Sequence, residues 1–157
     1  MFIKVDLQAG KLITGGSSFN VSNRHRTIRD GTRKLNEVVN SVPDKKPYDP
    51  VPFPKGMWKI THILWQQDEK FNASIFGPVK IVTNAHRPVK IWELDSKGNY
   101  LRETEEEVED YGYLLHYSES STTVGCIRIE SPEAAITIGS LIETALKHKE
   151  EIFLEVY

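Results

Sequence analysis

The chain holds one cysteine in 157 residues, and its neighbours are of the kinds that turn a thiol into a nucleophile. Cys126 follows Gly125, precedes Arg128 by two positions and lies ten residues after His116. A lone cysteine can neither close an intramolecular disulfide nor build a multi-cysteine metal site. The thiolate is the reactive form, and a free thiol is mostly protonated at neutral pH. A catalytic cysteine therefore needs a base, a positive charge or aligned backbone N–H groups. His116 can take the proton, and Arg128 adds charge suited to holding a substrate carboxylate. Gly125 lets the backbone turn tightly enough for the N–H groups of Gly125 and Cys126 to face a developing oxyanion. The competing reading makes Cys126 a small buried apolar residue and His116 an ordinary strand residue.

The order of residues favours the first reading. Thr123-Val124-Gly125-Cys126-Ile127-Arg128 resembles the Ser/Thr-x-Gly-Cys-x-Arg signature of the L,D-transpeptidases, the YkuD-like cysteine enzymes of bacterial cell-wall metabolism. Tyr113-Leu114-Leu115-His116 looks like the family strand that ends in the catalytic histidine. Pro54-Lys55-Gly56-Met57-Trp58-Lys59-Ile60 and Phe76-Gly77-Pro78 fall in the family's order, as does the opening Phe2-Ile3-Lys4-Val5-Asp6-Leu7. Three positions depart from the pattern. Tyr117 stands where glycine usually follows the histidine, the His-to-Cys spacing is shorter than usual, and Val124 stands where histidine or lysine is common. These departures bear on substrate preference more than on the nucleophile. The compact loop is also similar to that of small interbacterial effectors of the superfamily.

The resemblance implies a cysteine acyltransferase acting on peptidoglycan stem peptides. Cys126 would be the nucleophile, His116 the base and then the acid, and Gly125 part of the oxyanion hole. Thr123 would brace the loop through its hydroxyl, and Arg128 would engage a stem carboxylate. Tyr117 is the best placed of the nearby tyrosines to touch substrate, and His86, at a strand end, is a candidate for the cleft. No cofactor or metal is implied, and no His-x-Glu-x-x-His-like motif points to zinc. Two other readings stay open: an L,D-carboxypeptidase that only hydrolyses, and a catalytically degenerate module that binds peptidoglycan or a partner protein. A thiol redox sensor would need a resolving thiol from another chain.

The elements that must position these residues are short. The 39% hydrophobic and 27% charged composition fits one globular domain, and the net charge of -2 gives no reason to expect nucleic-acid binding. No apolar run approaches the ~20 residues of a membrane span. The N-terminus lacks the features of a signal peptide. A cell-wall role would therefore require a dedicated secretion system, phage-driven lysis or trimming of a longer chain, and an immunity protein is an expected partner of a delivered effector. Alternation predicts a hairpin over 2–14, with residues 15–18 as a turn or loop. Strands are predicted over 57–66, 71–75, 79–83, 89–94, 112–116, 126–129 and 152–157. Prolines and arginines make 23–54 an irregular insertion, with a short helix over 32–41. The acidic run Glu103 to Asp110 is expected as a solvated loop or short helix, and an ion pair with it is the bland role for Arg128. Ser131 as N-cap and Pro132 at the first position predict a late helix burying Ala134, Ile138, Leu141, Ile142 and Ala145. Trp58, Trp65 and Trp92 are expected in the core. Together these predict a mainly β domain, a sandwich or partly closed barrel with a C-terminal helix.

Overall fold

The computed structural model describes residues 1–24, 51–97, 99–121, 123 and 125–157. The predicted helix over 32–41 and the arginine-rich part of the insertion lie outside these residues. The fold is mainly β. Period-two burial builds its strands. β1 (Phe2–Asp6) turns Ile3 and Val5 inward, and β2 (Lys11–Thr14) turns in Leu12 and Thr14. β3 (Ser17–Ser22) and β4 (Gly56–Trp65) follow. β5 (Val79–Thr83) buries Val79, Ile81 and Thr83. β6 (Arg87–Leu94), β7 (Tyr100–Asp110), β8 (Leu114–Tyr117) and β9 (Ile127–Ile129) come next. β10 (Ile152–Val156) is the last, with Ile152, Leu154 and Val156 inward.

Eight strands form a closed barrel in the order β1-β10-β4-β5-β8-β9-β3-β2, with β2 returning to β1. The barrel is thus closed rather than partly closed, which leaves no free sheet edge in it. Two of its pairings are parallel, β1 with β10 and β8 with β9. After two one-turn helices, α1 (Gln66–Glu69) and α2 (Ala73–Phe76), the 16-residue helix α3 (Pro132–Lys147) packs against the barrel. It is capped where Ser131 Oγ accepts from Ala134 N at 3.0 Å. Its buried face is Ala135, Ile138, Gly139, Ile142 and Ala145. Leu141, predicted inward, is exposed, because the face is turned by the close approach of Gly139 to Trp65 and Val79. Among the described residues no helix is long and apolar enough to cross a membrane.

Three local expectations are corrected. Ser17 and Ser18 are not loop but the start of β3, since the Gly15–Gly16 pair alone makes the turn. Residues 71–75 are not a strand: Asn72 Oδ1 accepts from Ser74 N at 3.0 Å and starts the one-turn helix α2 (Ala73–Phe76). The acidic run is neither loop nor helix. It pairs as β7 with β6 in a two-stranded hairpin outside the barrel, closed by Asp95 Oδ1 accepting from Lys97 N and Asn99 N at 2.9 Å each. Val89 and Ile91 of β6 pack with Tyr100 and Val108 of β7, so one face of the acidic strand is apolar despite its glutamates.

Candidate functional site

The site is built on three neighbouring barrel strands. β8 and β9 run parallel, with Leu115 beside Ile127 and His116 beside Arg128. On the other side of β8, His116 lies beside Lys80 of β5. Leu115, Ile127 and Ile81 fill the barrel interior, so the alternate residues Lys80, His116 and Arg128 form a row on its outer face. Cys126 stands one residue before β9. The Leu114 amide donates to its Sγ at 3.4 Å, and the Gly112 carbonyl lies 3.9 Å away as acceptor. Continuing the register places Cys126 opposite Leu114, one same-face step before His116. Strand spacing and rise then put the Cys126 and His116 Cα atoms about 8 Å apart. Phe76 of α2 covers the imidazole at 5.3 Å between ring centroids.

His116 is 3% exposed, and its Nδ1 is 2.8 Å from the Tyr117 carbonyl. A carbonyl only accepts, so Nδ1 carries the hydrogen and Nε2 is the basic nitrogen of the neutral ring. Burial holds the imidazole pKa below its ordinary 6.5, and the charges of Lys80 and Arg128 act in the same direction against the carbonyls of Tyr117 and Ile75. Burial also pushes the Cys126 thiol up, to about 11, with the charge of Asp110 adding to it and the Leu114 N–H and Lys80 opposing. Both shifts favour the neutral forms of the two groups, a thiol and an imidazole on one face of the β8–β9 pair. Attack by a neutral thiol would need its proton transferred during the attack, there being no standing ion pair.

The thiol loop is clamped by a residue that the sequence reading passed over. Asn23 Nδ2 donates to the carbonyls of Gly125 at 3.0 Å and Cys126 at 3.1 Å, while its Oδ1 accepts from Phe53 N at 2.9 Å. One side chain thus joins the exit of β3, the segment before β4 and the cysteine loop. Thr123 Oγ1 donates to the Cys126 carbonyl at 2.6 Å, the hydroxyl-to-backbone brace its position suggested. Gly125 has φ +99°, and a Cβ there would sit 2.6 Å from the Val51 carbonyl oxygen. In a trans peptide the N–H points opposite to the C=O, so with the Gly125 carbonyl turned to Asn23 the Cys126 N–H faces the other way.

Arg128 Nε donates to the Ser118 carbonyl at 2.8 Å, and its guanidinium lies 5.2 Å from the Tyr117 ring centroid. Among the described residues it makes no ion pair with the acidic run. Tyr117 is partly buried and packs on Gly77, where an added Cβ would come within 2.8 Å of the tyrosine Cβ. Lys80, also passed over, holds its ammonium 3.9 Å from the Phe76 ring centroid and 4.5 Å from that of Phe71. Cys126, His116 and Arg128 therefore lie on one face of the β8–β9 pair; Gly125 and Thr123 belong to the cysteine loop, and Tyr117, of the opposite strand parity and partly buried against the core, meets Arg128 through its ring. His86 does not join them: it lines a groove whose walls include neither Cys126 nor His116. Among the described residues no group of three or more His, Cys, Asp or Glu side chains could hold a metal ion.

No family model matches the chain, and no curated protein matches it. A structure of Bd1075 from Bdellovibrio bacteriovorus is similar over 99% of this chain and 47% of that one, at 15% identity and a TM-score of 0.45. The chain thus spans about half the length of that protein, and the likeness is too remote to assign either a family or a function.

Proposed function

We propose that the chain is a cysteine acyltransferase acting on peptidoglycan stem peptides. The observation that carries the proposal is the His116 ring, fixed by the Tyr117 carbonyl with Nε2 as its base, on the same wall as the only thiol. As Sγ attacks the carbonyl carbon at the L-centre of the third stem residue, Nε2 takes the thiol proton. The Tyr117 and Ile75 carbonyls favour the imidazolium so formed. The Cys126 N–H faces the developing oxyanion, a contact of a kind worth ~3 kcal/mol in the transition state. The C–N bond breaks, and the imidazolium returns its proton to the departing D-amino acid. An amine or water then attacks the thioester, giving its proton to His116, which reprotonates the leaving thiolate. Arg128 and Lys80 place positive charge where substrate carboxylates would lie.

Intact-mass spectrometry tests this with disaccharide tetrapeptide and, separately, a carbapenem. A drug adduct on wild type but not on Cys126→Ala, with tetrapeptide converted to tripeptide, exchanged or cross-linked product, supports it. The product identity separates transfer from hydrolysis. Absence of both adduct and turnover from pH 5 to 9 sinks it. The second reading, a peptidoglycan-binding module without turnover, is favoured by the thiol's rise to about 11. It predicts that Cys126→Ala binds peptidoglycan sacculi as wild type does while neither protein releases any product.

A further inference from the structure

We propose that the groove beside the thiol wall is a saccharide cleft that holds an amino-sugar chain. The groove, of about 550 Å³, runs between the Pro52–Lys55 segment and the foot of the β6–β7 hairpin. That volume lies within the range of small-ligand sites. Trp58 lines it, its ring fixed by Nε1 donating to the Pro54 carbonyl at 2.8 Å. His86 meets Trp58 edge-on at 5.4 Å, and Tyr111 continues the row 5.4 Å beyond His86 at an interplanar angle of 30°. Tyr111 is 53% exposed, so a large part of this aromatic row faces solvent. Polar groups border the row: Glu109 Oε2 lies 2.9 Å from His86 Nδ1, and Arg87 is anchored to the Pro52 carbonyl.

This chemistry suits a pyranose. Its C–H face is apolar and stacks on aromatic rings, while its hydroxyls and acetamido groups pair with carboxylate, imidazole and guanidinium. A lipid would leave Glu109 and Arg87 desolvated, and an anion would meet the Glu109 carboxylate. The placement also matters, in a step that rests on the acyltransferase reading. Glu109 borders the groove, and the Gly112 carbonyl, three residues on, lies 3.9 Å from the thiol. Three residues of backbone reach at most about 11 Å. A peptide hanging from a sugar in the groove covers the same distance by its third residue, the one whose carbonyl is attacked.

The experiment titrates tetra-N-acetylchitotetraose, which carries no peptide, into wild type, Cys126→Ala, Tyr111→Ala and Glu109→Gln. Tryptophan fluorescence and NMR shifts of the Tyr111 and His86 rings are followed. Saturable binding by wild type and Cys126→Ala, weakened about tenfold or more in the two groove variants, is the expected result. Both substitutions lie on exposed side chains, so folding is retained and checked by circular dichroism. No saturation by about 10 mM, well above a millimolar Kd, or equal binding in all four proteins, overturns the cleft. A parallel comparison of disaccharide tetrapeptide with free tetrapeptide is expected to favour the former at least tenfold in kcat/KM, and Tyr111→Ala to erase that preference. Equal rates on the two substrates overturn delivery of the stem by the sugar. Sugar binding without turnover of either substrate retains the cleft and removes the acyltransferase reading; turnover without sugar binding does the reverse.

Discussion

Gly125 decides whether the thiol loop can exist. Its φ of +99° and the 2.6 Å that a Cβ would leave to the Val51 carbonyl mean that Gly125→Ala introduces both strain and a backbone clash. Chemical denaturation of this variant is expected to show a loss of about 2 kcal/mol or more, and carbapenem acylation to fall with it. The titration of the pair gives a second prediction. Because the proposed reaction needs a neutral His116, its kcat/KM should rise with pH through a midpoint below 6.5 and then stay level. Alkylation of Cys126 by iodoacetamide should keep accelerating towards pH 11, past the 9.0 of an ordinary thiol. Lys80→Met removes a charge that opposes the imidazolium, so it should move the acid limb of the rate profile upward. The thiol, the imidazole, Gly125 and Thr123 were legible in the sequence because their chemistry falls within one short window. Asn23 and Lys80 were not. They reach the site from β3 and β5, and only the barrel register brings them there.

Among the elements, the parallel pair β8–β9 sets the spacing of the catalytic candidates. Leu115 and Ile127 are neighbours across it, and continuing that register seats His116 and Cys126 on the same outer face. α2 and Gly77 supply the room that Tyr117 occupies. Gly77 has φ +69°, and a Cβ would come within 2.8 Å of the tyrosine Cβ. Gly77→Ala is therefore expected to displace Tyr117 and, through its carbonyl, to release His116 Nδ1. NMR of the imidazole should report a mixture of tautomers where wild type has one. At the far end of the chain, Ser131→Ala removes the α3 cap and should cost about 1 kcal/mol, read as a lower midpoint in urea without loss of thiol reactivity. The helix was legible because capping and 3.6-residue periodicity are local signals. The β6–β7 hairpin was legible only in β6. β7 was obscured because glutamates line its solvent side, and a charge run reads as loop until its pairing partner is known.

For the whole molecule, the mainly β class follows from short alternating segments and the late helix from its cap and 3.6-residue period, whereas barrel closure follows from neither. Closure depends on β1 pairing with β10 across nearly the whole length of the chain, and no local pattern encodes that. Two of the perturbed groups, His116 and Cys126, also define a stability window. His116 binds its proton more weakly in the folded chain, so its contribution is full above 6.5 and is lost as pH falls through the lowered folded value. Cys126 holds its proton more tightly when folded, so its contribution is full below 9.0 and is lost as pH rises through about 11. Thermal unfolding is expected to give a Tm plateau between those limits, with the alkaline fall absent in Cys126→Ala.

The pairing of β1 with β10 also bears on timing during synthesis. β4 and β1 are both neighbours of β10, and residues 152–156 are made after the other seven strands of the barrel. Until they leave the ribosome the nascent chain has at most an open seven-stranded sheet, with both flanking edges unsatisfied. Closure then comes after translation of the site residues themselves, so Cys126 is made before the frame that holds it.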